Sequence, residues 1–280
     1  MHEVAIVGAG DLGGALAHIL ARRGAARTVR LIDGAGRVAE GKALDIAQAA
    51  PVEGFATVLR GCVDSATAAG ADVIVIADRF SAGEWQGDEA LQLVAQLSRS
   101  APGAILLCAG AAQRDVVDRG VRERDIARTR LIGSAPEALA GGARALSALA
   151  VNGSPRDVSL AVLGVPPDHT VIPWHDATLA GFALTRLIDE PSRRLLAARV
   201  AALWPPGPYA LASAAAIAID ALAERTRRIT NCFVAPDVSS GVQTRTAALP
   251  VRLGRAGIVE VVVPSLSVVE RVALENAMQV

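Results

Sequence analysis

Lysine is almost missing from this chain: Lys42 is the only one, and arginine carries the rest of the basic charge. A surplus of either sign is missing too. The 28 basic and 28 acidic residues balance to a formal net charge of zero, and no basic stripe runs along the sequence, which argues against a nucleic-acid partner. Cysteine is scarce. Cys62, Cys108 and Cys232 lie far apart with no C-x-x-C pair, so neither a metal site nor a disulfide framework is expected. Cys108 stands in an apolar run and reads as a small buried hydrophobe. Long hydrophobic runs are also lacking. Stretches such as Ala210–Leu222 are too short or too interrupted to span a bilayer. The N-terminus enters an apolar segment at once, without the charged n-region of a signal peptide. The expectation is a cytoplasmic protein with no membrane partner.

What is present is apolar material in quantity. The 280 residues are 52% hydrophobic and 20% charged, enough for a large core in one big domain or two modest ones. Val4–Val7 is wholly apolar and ends in glycine, the habit of a strand buried on both faces of a parallel sheet. Leu12–Arg22 has helical spacing. Val29–Ile32 reads as a second strand closed by Asp33, and Val38–Ala49 as a helix stopped by Pro51. Val73–Ile76 and Ile105–Leu107 are further buried strands, with a helix over Glu89–Leu97 between them. This alternation predicts a parallel sheet with right-handed crossovers. Past about residue 140 the pattern changes. Asp157–Leu163 reads as a strand followed by the turn Gly164–Asp168. Pro191–Leu203 and Ala210–Arg227 read as helices. Cys232–Ala235, Ala247–Leu253 and Ile258–Val263 read as antiparallel strands, and Val268–Met278 as a closing helix. The predicted fold class is α/β: a Rossmann-type parallel-sheet domain over residues 1–140, then an α+β domain over residues 141–280.

Gly8-Ala9-Gly10-Asp11-Leu12-Gly13 matches G-x-G-x-x-G between a strand and a helix, the context that gives the motif meaning. Gly8 permits the tight turn, Gly10 lets a pyrophosphate approach the backbone, and Gly13 lets helix and strand pack closely. Asp11 and Leu12 open the helix, whose N-terminal N–H groups face the phosphates. Asp33 stands where an acidic residue accepts from a ribose 2′-hydroxyl and repels a 2′-phosphate, so NAD is favoured over NADP. A glycine turn kept only for packing is the competing reading.

The sequence resembles the lactate/malate dehydrogenase family, its malate dehydrogenases in particular, almost end to end. Gly41-Lys42-Ala43-Leu44-Asp45-Ile46, continuing to Pro51-Val52-Glu53-Gly54-Phe55, is similar to the family's G-K-x-L-D-I…P-V-x-G-F signature. Gly70–Val75 is similar to its G-A-D-V-V-I strand, and Tyr209–Ala218 to its Y-A-P-A-A-S helix. The resemblance implies a C-terminal domain of the lactate/malate dehydrogenase type and NAD as cofactor. It also implies a homodimer or homotetramer, with the Gly41–Phe55 region as interface helix.

In that family an Asp–His pair moves the hydroxyl proton while hydride passes between C2 of a 2-hydroxy acid and the nicotinamide. Arginines hold the substrate carboxylates. Against the family's G-x-H-G-D turn this chain reads Gly164-Val165-Pro166-Pro167-Asp168, with Pro166 in the histidine's place. Without gaps, Leu139 falls at the partner aspartate and Gly142 at the carboxylate-binding arginine; a slip of two would offer Glu137 or Arg144. The substrate loop is several residues short and reads Ala77–Trp85, with Arg79 as its only arginine. The family's T-N-P reads Gly110-Ala111-Ala112. The resemblance therefore implies a pseudoenzyme with a binding, sensing or assembly role. The alternative is a rebuilt oxidoreductase, in which His169 or His175 relays the proton and Arg79 or Arg144 anchors an anion. The surface-residue reading of both histidines competes with that alternative.

Overall fold

A computed structural model describes residues 1–35, 37–237 and 244–280. The first half alternates strands and helices. The strands are β1 (Glu3–Val7), β2 (Thr28–Ile32), β3 (Val58–Cys62), β4 (Val73–Ile76), the two-residue pair β5 (Asp78–Arg79) and β6 (Gly83–Glu84), β7 (Ile105–Cys108) and β8 (Leu131–Gly133). The helices are α1 (Asp11–Arg23), α2 (Val38–Glu53), α3 (Gly87–Ser100), α4 (Arg114–Arg124) and α5 (Ala135–Ala150). Strands β3-β2-β1-β4-β7-β8 lie side by side and all pair in parallel.

Both faces of this sheet are buried, as strands without polar alternation require. The pleat divides each strand between two cores. Val4 and Ile6 join the cluster that includes Leu16, Leu20, Ala215 and Ile219, while Ala5 and Val7 join the cluster with Leu91, Val94 and Leu97. The parallel strands all end on one side, so Gly8, Asp33, Asp78 and Gly110 converge at one edge of the sheet. In open α/β sheets that edge is where ligands bind.

The second half extends the same sheet. Its strands are β9 (Val158–Ser159), β10 (Leu163–Val165), β11 (His169–Val171), β12 (Thr178–Leu179), β13 (Phe182–Ala183), β14 (Thr230–Val234), β15 (Ala247–Gly254) and β16 (Gly257–Val261). Its helices are α6 (Leu184–Leu187), α7 (Glu190–Ala201), α8 (Pro208–Leu222) and α9 (Val268–Ala277). The order continues β8-β14-β15-β10-β11 with antiparallel pairing, and β16 pairs with β15. Strands β13-β12-β9 form a separate small sheet.

Of the elements that the sequence predicts, three depart most from expectation. Helix α2 runs through Pro51 and ends at Gly54, which takes φ +73°. Pro51 lies in the last, exposed turn, where a missing N–H leaves a carbonyl that water can satisfy. Asp157–Leu163 is not one strand. It divides into a turn, the short β9 and the start of β10, because the Val162 N–H is taken by Asn231 Oδ1 at 3.1 Å instead of a neighbouring strand. Helix α8 stops at Leu222 and not at Arg227; Glu224 adopts a left-handed φ of 58° just beyond it.

Candidate functional site: the cofactor groove and the Gly164–Asp168 turn

The glycine loop joins β1 to α1 as the motif requires. Gly8 has φ +118°, a conformation that favours glycine, and a Cβ there would lie 2.4 Å from the Asp78 carbonyl oxygen. A Cβ on Gly13 would lie 2.0 Å from the Gly8 carbonyl oxygen, so glycine is what lets α1 begin against β1. Lys42 Nζ donates to the Gly10 carbonyl at 2.7 Å and so fixes the loop from α2.

Asp33 closes β2 with its carboxylate buried. Oδ2 accepts from the backbone N–H of Ala9 at 2.8 Å and of Phe80 at 2.9 Å; Oδ1 accepts from Ala35 at 2.9 Å. Burial alone would raise its pKa, but these three donors and the nearby Arg79 outweigh it and hold the carboxyl below its ordinary value. Asp33 is thus bound to the loop itself, a contact that sequence spacing does not disclose.

The segment that follows β4 turns back over the loop. Gly10 donates its N–H to the Asp78 carbonyl at 2.8 Å. The Asp78 carboxylate accepts from the backbone N–H of Leu12 at 3.2 Å and of Gly13 at 2.9 Å. A Cβ on Gly10 would meet Asp78 Cγ at 2.3 Å. The cradle that glycine leaves at this position is therefore filled by Asp78. Further along, Glu84 accepts from the N–H groups of Ala111 at 3.0 Å and Ala112 at 2.8 Å, beyond the end of β7. Asp78 and Glu84 were not among the residues that sequence reasoning marked. Their partners are backbone amides of distant segments, which leave no trace in residue identity.

Beside this hairpin lies a cavity of about 370 Å³, lined largely by apolar groups that include Ile32, Val63, Phe80 and Trp85, with Asp33 on its wall. Arg79 stacks on Trp85, its guanidinium carbon 4.4 Å from the ring centre, and pairs with Glu89 at 2.8 Å.

The turn Gly164–Asp168 lies between β10 and β11. Pro166 is buried there, while Pro167, Asp168 and His169 are exposed. Leu139 on α5 is 1% exposed and packs with Val158, Leu160, Val162 and Ile172. Gly142, one turn further, faces Leu203, whose Cδ1 would lie 2.6 Å from an added Cβ. Glu137 and Arg144 pair with each other. His175 is exposed in the turn after Trp174. Among the described residues no side-chain hydrogen bond joins His169 or His175 to an acid, and no group of three His, Cys, Asp or Glu side chains could hold a metal.

A parallel sheet with a glycine loop at its carboxyl edge is an architecture that binds dinucleotides. Residues 2–96 match the family profile described as lactate/malate dehydrogenase, NAD binding domain. The malate dehydrogenases of Thermomicrobium roseum and Chloroherpeton thalassium are 28% and 27% identical to the chain. Each of these matches covers 98% of this chain and 94% of the relative. Among solved structures, Salinibacter ruber malate dehydrogenase superposes with a TM-score of 0.85 at 24% identity, covering 98% of this chain and 93% of that one. Cryptosporidium parvum lactate dehydrogenase in complex with lactic acid and nicotinamide adenine dinucleotide gives 0.87 at 21%, covering 99% and 94%. Over residues 2–96 the chain is similar to the NAD-binding domain of lactate/malate dehydrogenases, so its cofactor domain is of the NAD-binding kind, and over almost its whole length it is similar to malate dehydrogenases.

The backbone of the loop has the form that a dinucleotide needs. In the conformation described, its donors are already taken: Gly8 N–H by the Ile32 carbonyl, Ala9 by Asp33, Gly10 by the Asp78 carbonyl, and Leu12 and Gly13 by the Asp78 carboxylate. A pyrophosphate does not fit beside Asp78 in this arrangement.

Proposed function

We propose that this protein is an NAD-binding member of the lactate/malate dehydrogenase family that no longer performs 2-hydroxy-acid dehydrogenation and acts in binding, sensing or assembly. One observation carries the reading. At the turn where the family places its proton-relaying histidine, this chain has the buried Pro166, which has no titratable group. The surroundings support it. At the positions where the family's partner aspartate and carboxylate-binding arginine would fall, Leu139 is packed into the apolar core and Gly142 is closed off by Leu203. Glu137 and Arg144, which a shifted alignment would supply, neutralise one another.

The rebuilt-oxidoreductase reading draws less support. Its anion anchors, Arg79 and Arg144, are both paired to carboxylates, and among the described residues no acidic side chain bonds its histidines. A panel of 2-hydroxy and 2-oxo acids assayed with NAD, NADH and NADP tests both readings. The first expects no turnover with any of them. Turnover that disappears in His169→Ala or His175→Ala would establish the second instead.

We further propose a homo-oligomer that assembles through α2. Leu44 and Val52 on that helix, with Tyr209 at the start of α8, expose large apolar or aromatic surface. Sedimentation at micromolar concentration tests this, and a strict monomer would contradict it. A cytoplasmic location and a domain boundary near residue 140 complete the reading. Among the described residues no helix is long and apolar enough to cross a membrane.

A further inference from the structure

The hairpin formed by β5 and β6 is tied to the groove at three separate points. Asp78 holds the N–H groups of Leu12 and Gly13 at the start of α1. Phe80 donates its N–H to Asp33 at 2.9 Å. Glu84 holds those of Ala111 and Ala112 at the end of β7. Two of these ties are carboxylates set on backbone donors, the arrangement by which a loop and helix N-terminus otherwise hold phosphate oxygens. The third takes up the acid suited to a ribose hydroxyl. The ties therefore run along the path of a dinucleotide, from its ribose and pyrophosphate positions to the strand end beyond.

We propose that the Asp78–Glu84 hairpin is a built-in competitor of the dinucleotide, with the Asp78 carboxylate standing in for the pyrophosphate, so that NAD and the closed hairpin exclude each other. This rests on the reading of residues 2–96 as an NAD-binding domain. The chemistry follows from charge and geometry. A pyrophosphate brought to Gly10 meets an anion where it needs donors, and the donors it needs are already bonded. Binding must first release Asp78 from α1, and the energy of that release lowers the apparent affinity. Removing the competitor restores the donors at no cost to the glycine loop. Asparagine at the same place keeps an acceptor for Leu12 and Gly13 but takes away the charge that repels phosphate.

The test is NADH affinity, measured by calorimetry on the whole protein and on the variants Asp78→Ala and Asp78→Asn. Amide hydrogen exchange on the wild type, with and without saturating NADH, accompanies it. We expect Asp78→Ala to bind NADH at least tenfold more tightly than wild type, and Asp78→Asn to shift in the same direction by less. The Phe80, Ala111 and Ala112 amides of the wild type should exchange faster once NADH is bound. Equal or weaker NADH binding by both variants would overturn the proposal. So would NADH bound to wild type with those amides still protected, a result that decides the matter even if Asp78→Ala fails to fold. None of these readouts involves turnover. A wrong assignment of function and a wrong assignment of the hairpin would therefore be told apart.

Discussion

The backbone N–H and the side-chain Nδ2 of Asn231 both donate to Oε2 of Glu137, at 2.9 and 2.6 Å. The other carboxylate oxygen of Glu137 pairs with Arg144, and Asn231 Oδ1 accepts from the Val162 N–H. One buried acid thus ties α5 to β14 and, through Asn231, to the approach to β10.

Glu137→Ala should therefore be costly. It leaves the Arg144 guanidinium and two Asn231 donors without their partner in a site where Glu137 is 2% exposed. Breaking a buried charge pair in this way costs about 3–5 kcal/mol. Glu137→Gln keeps an acceptor for Asn231 and should cost less. Urea unfolding followed by tryptophan fluorescence measures both, and equal stability of Glu137→Ala and wild type would contradict the account.

Asp33 should make stability depend on pH in acid. Its folded pKa lies below the ordinary aspartate value of 3.8. A depressed carboxyl pKa stabilises the fold above the unfolded value and loses that contribution as pH falls through the folded one. The stability gap between wild type and Asp33→Asn should therefore be constant above roughly pH 5 and narrow below 3.8. Asp33→Ala should lose about 2–4 kcal/mol at neutral pH, because the buried Ala9 N–H and the Phe80 N–H are orphaned. A gap that does not change with pH in denaturant titrations would contradict the assignment.

The cysteines should differ sharply in reactivity. Burial and the nearby Glu84 push the Cys108 thiol up to about 12, and burial with Glu137 nearby raises that of Cys232 as well. Cys62 is partly exposed and all three are free. Since the thiolate is the reactive form, a disulfide reagent should modify one thiol per native chain, at Cys62, and all three after denaturation. Rapid native modification of Cys108 would contradict the packing of β7.

Much of the fold can be read directly from residues. Val4–Val7, Val73–Ile76 and Ile105–Leu107 announce themselves because a strand buried on both faces must be apolar throughout. Others escape for physical reasons. Strand β8 has only three residues, and β3 carries Arg60 and Gly61 at an edge where one side is open. Helix α5 carries Pro136 in its first turn and the pair Gly141-Gly142 in its middle, residues that weaken a helical reading. The glycine loop and Asp33 are legible because their chemistry depends on residue type. The hairpin that closes over them is not, because Asp78 and Glu84 act on backbone amides that any residue could supply. That Pro166 stands where the resembled family carries a histidine is legible in the sequence turn itself. The structure adds what the aligned positions on α5 do: Leu139 lies in the core, Leu203 packs against Gly142, and Arg144 is committed to Glu137.

The measurement that bears most directly on the central claim is the rate at which purified, folded protein reduces oxaloacetate with saturating NADH. The account predicts no NADH consumption above the enzyme-free background, in the wild type and in Asp78→Ala alike, because opening the groove does not supply the groups missing at Pro166, Leu139 and Gly142. Turnover faster than about 1 s⁻¹, within the ordinary range of enzymes, would contradict it.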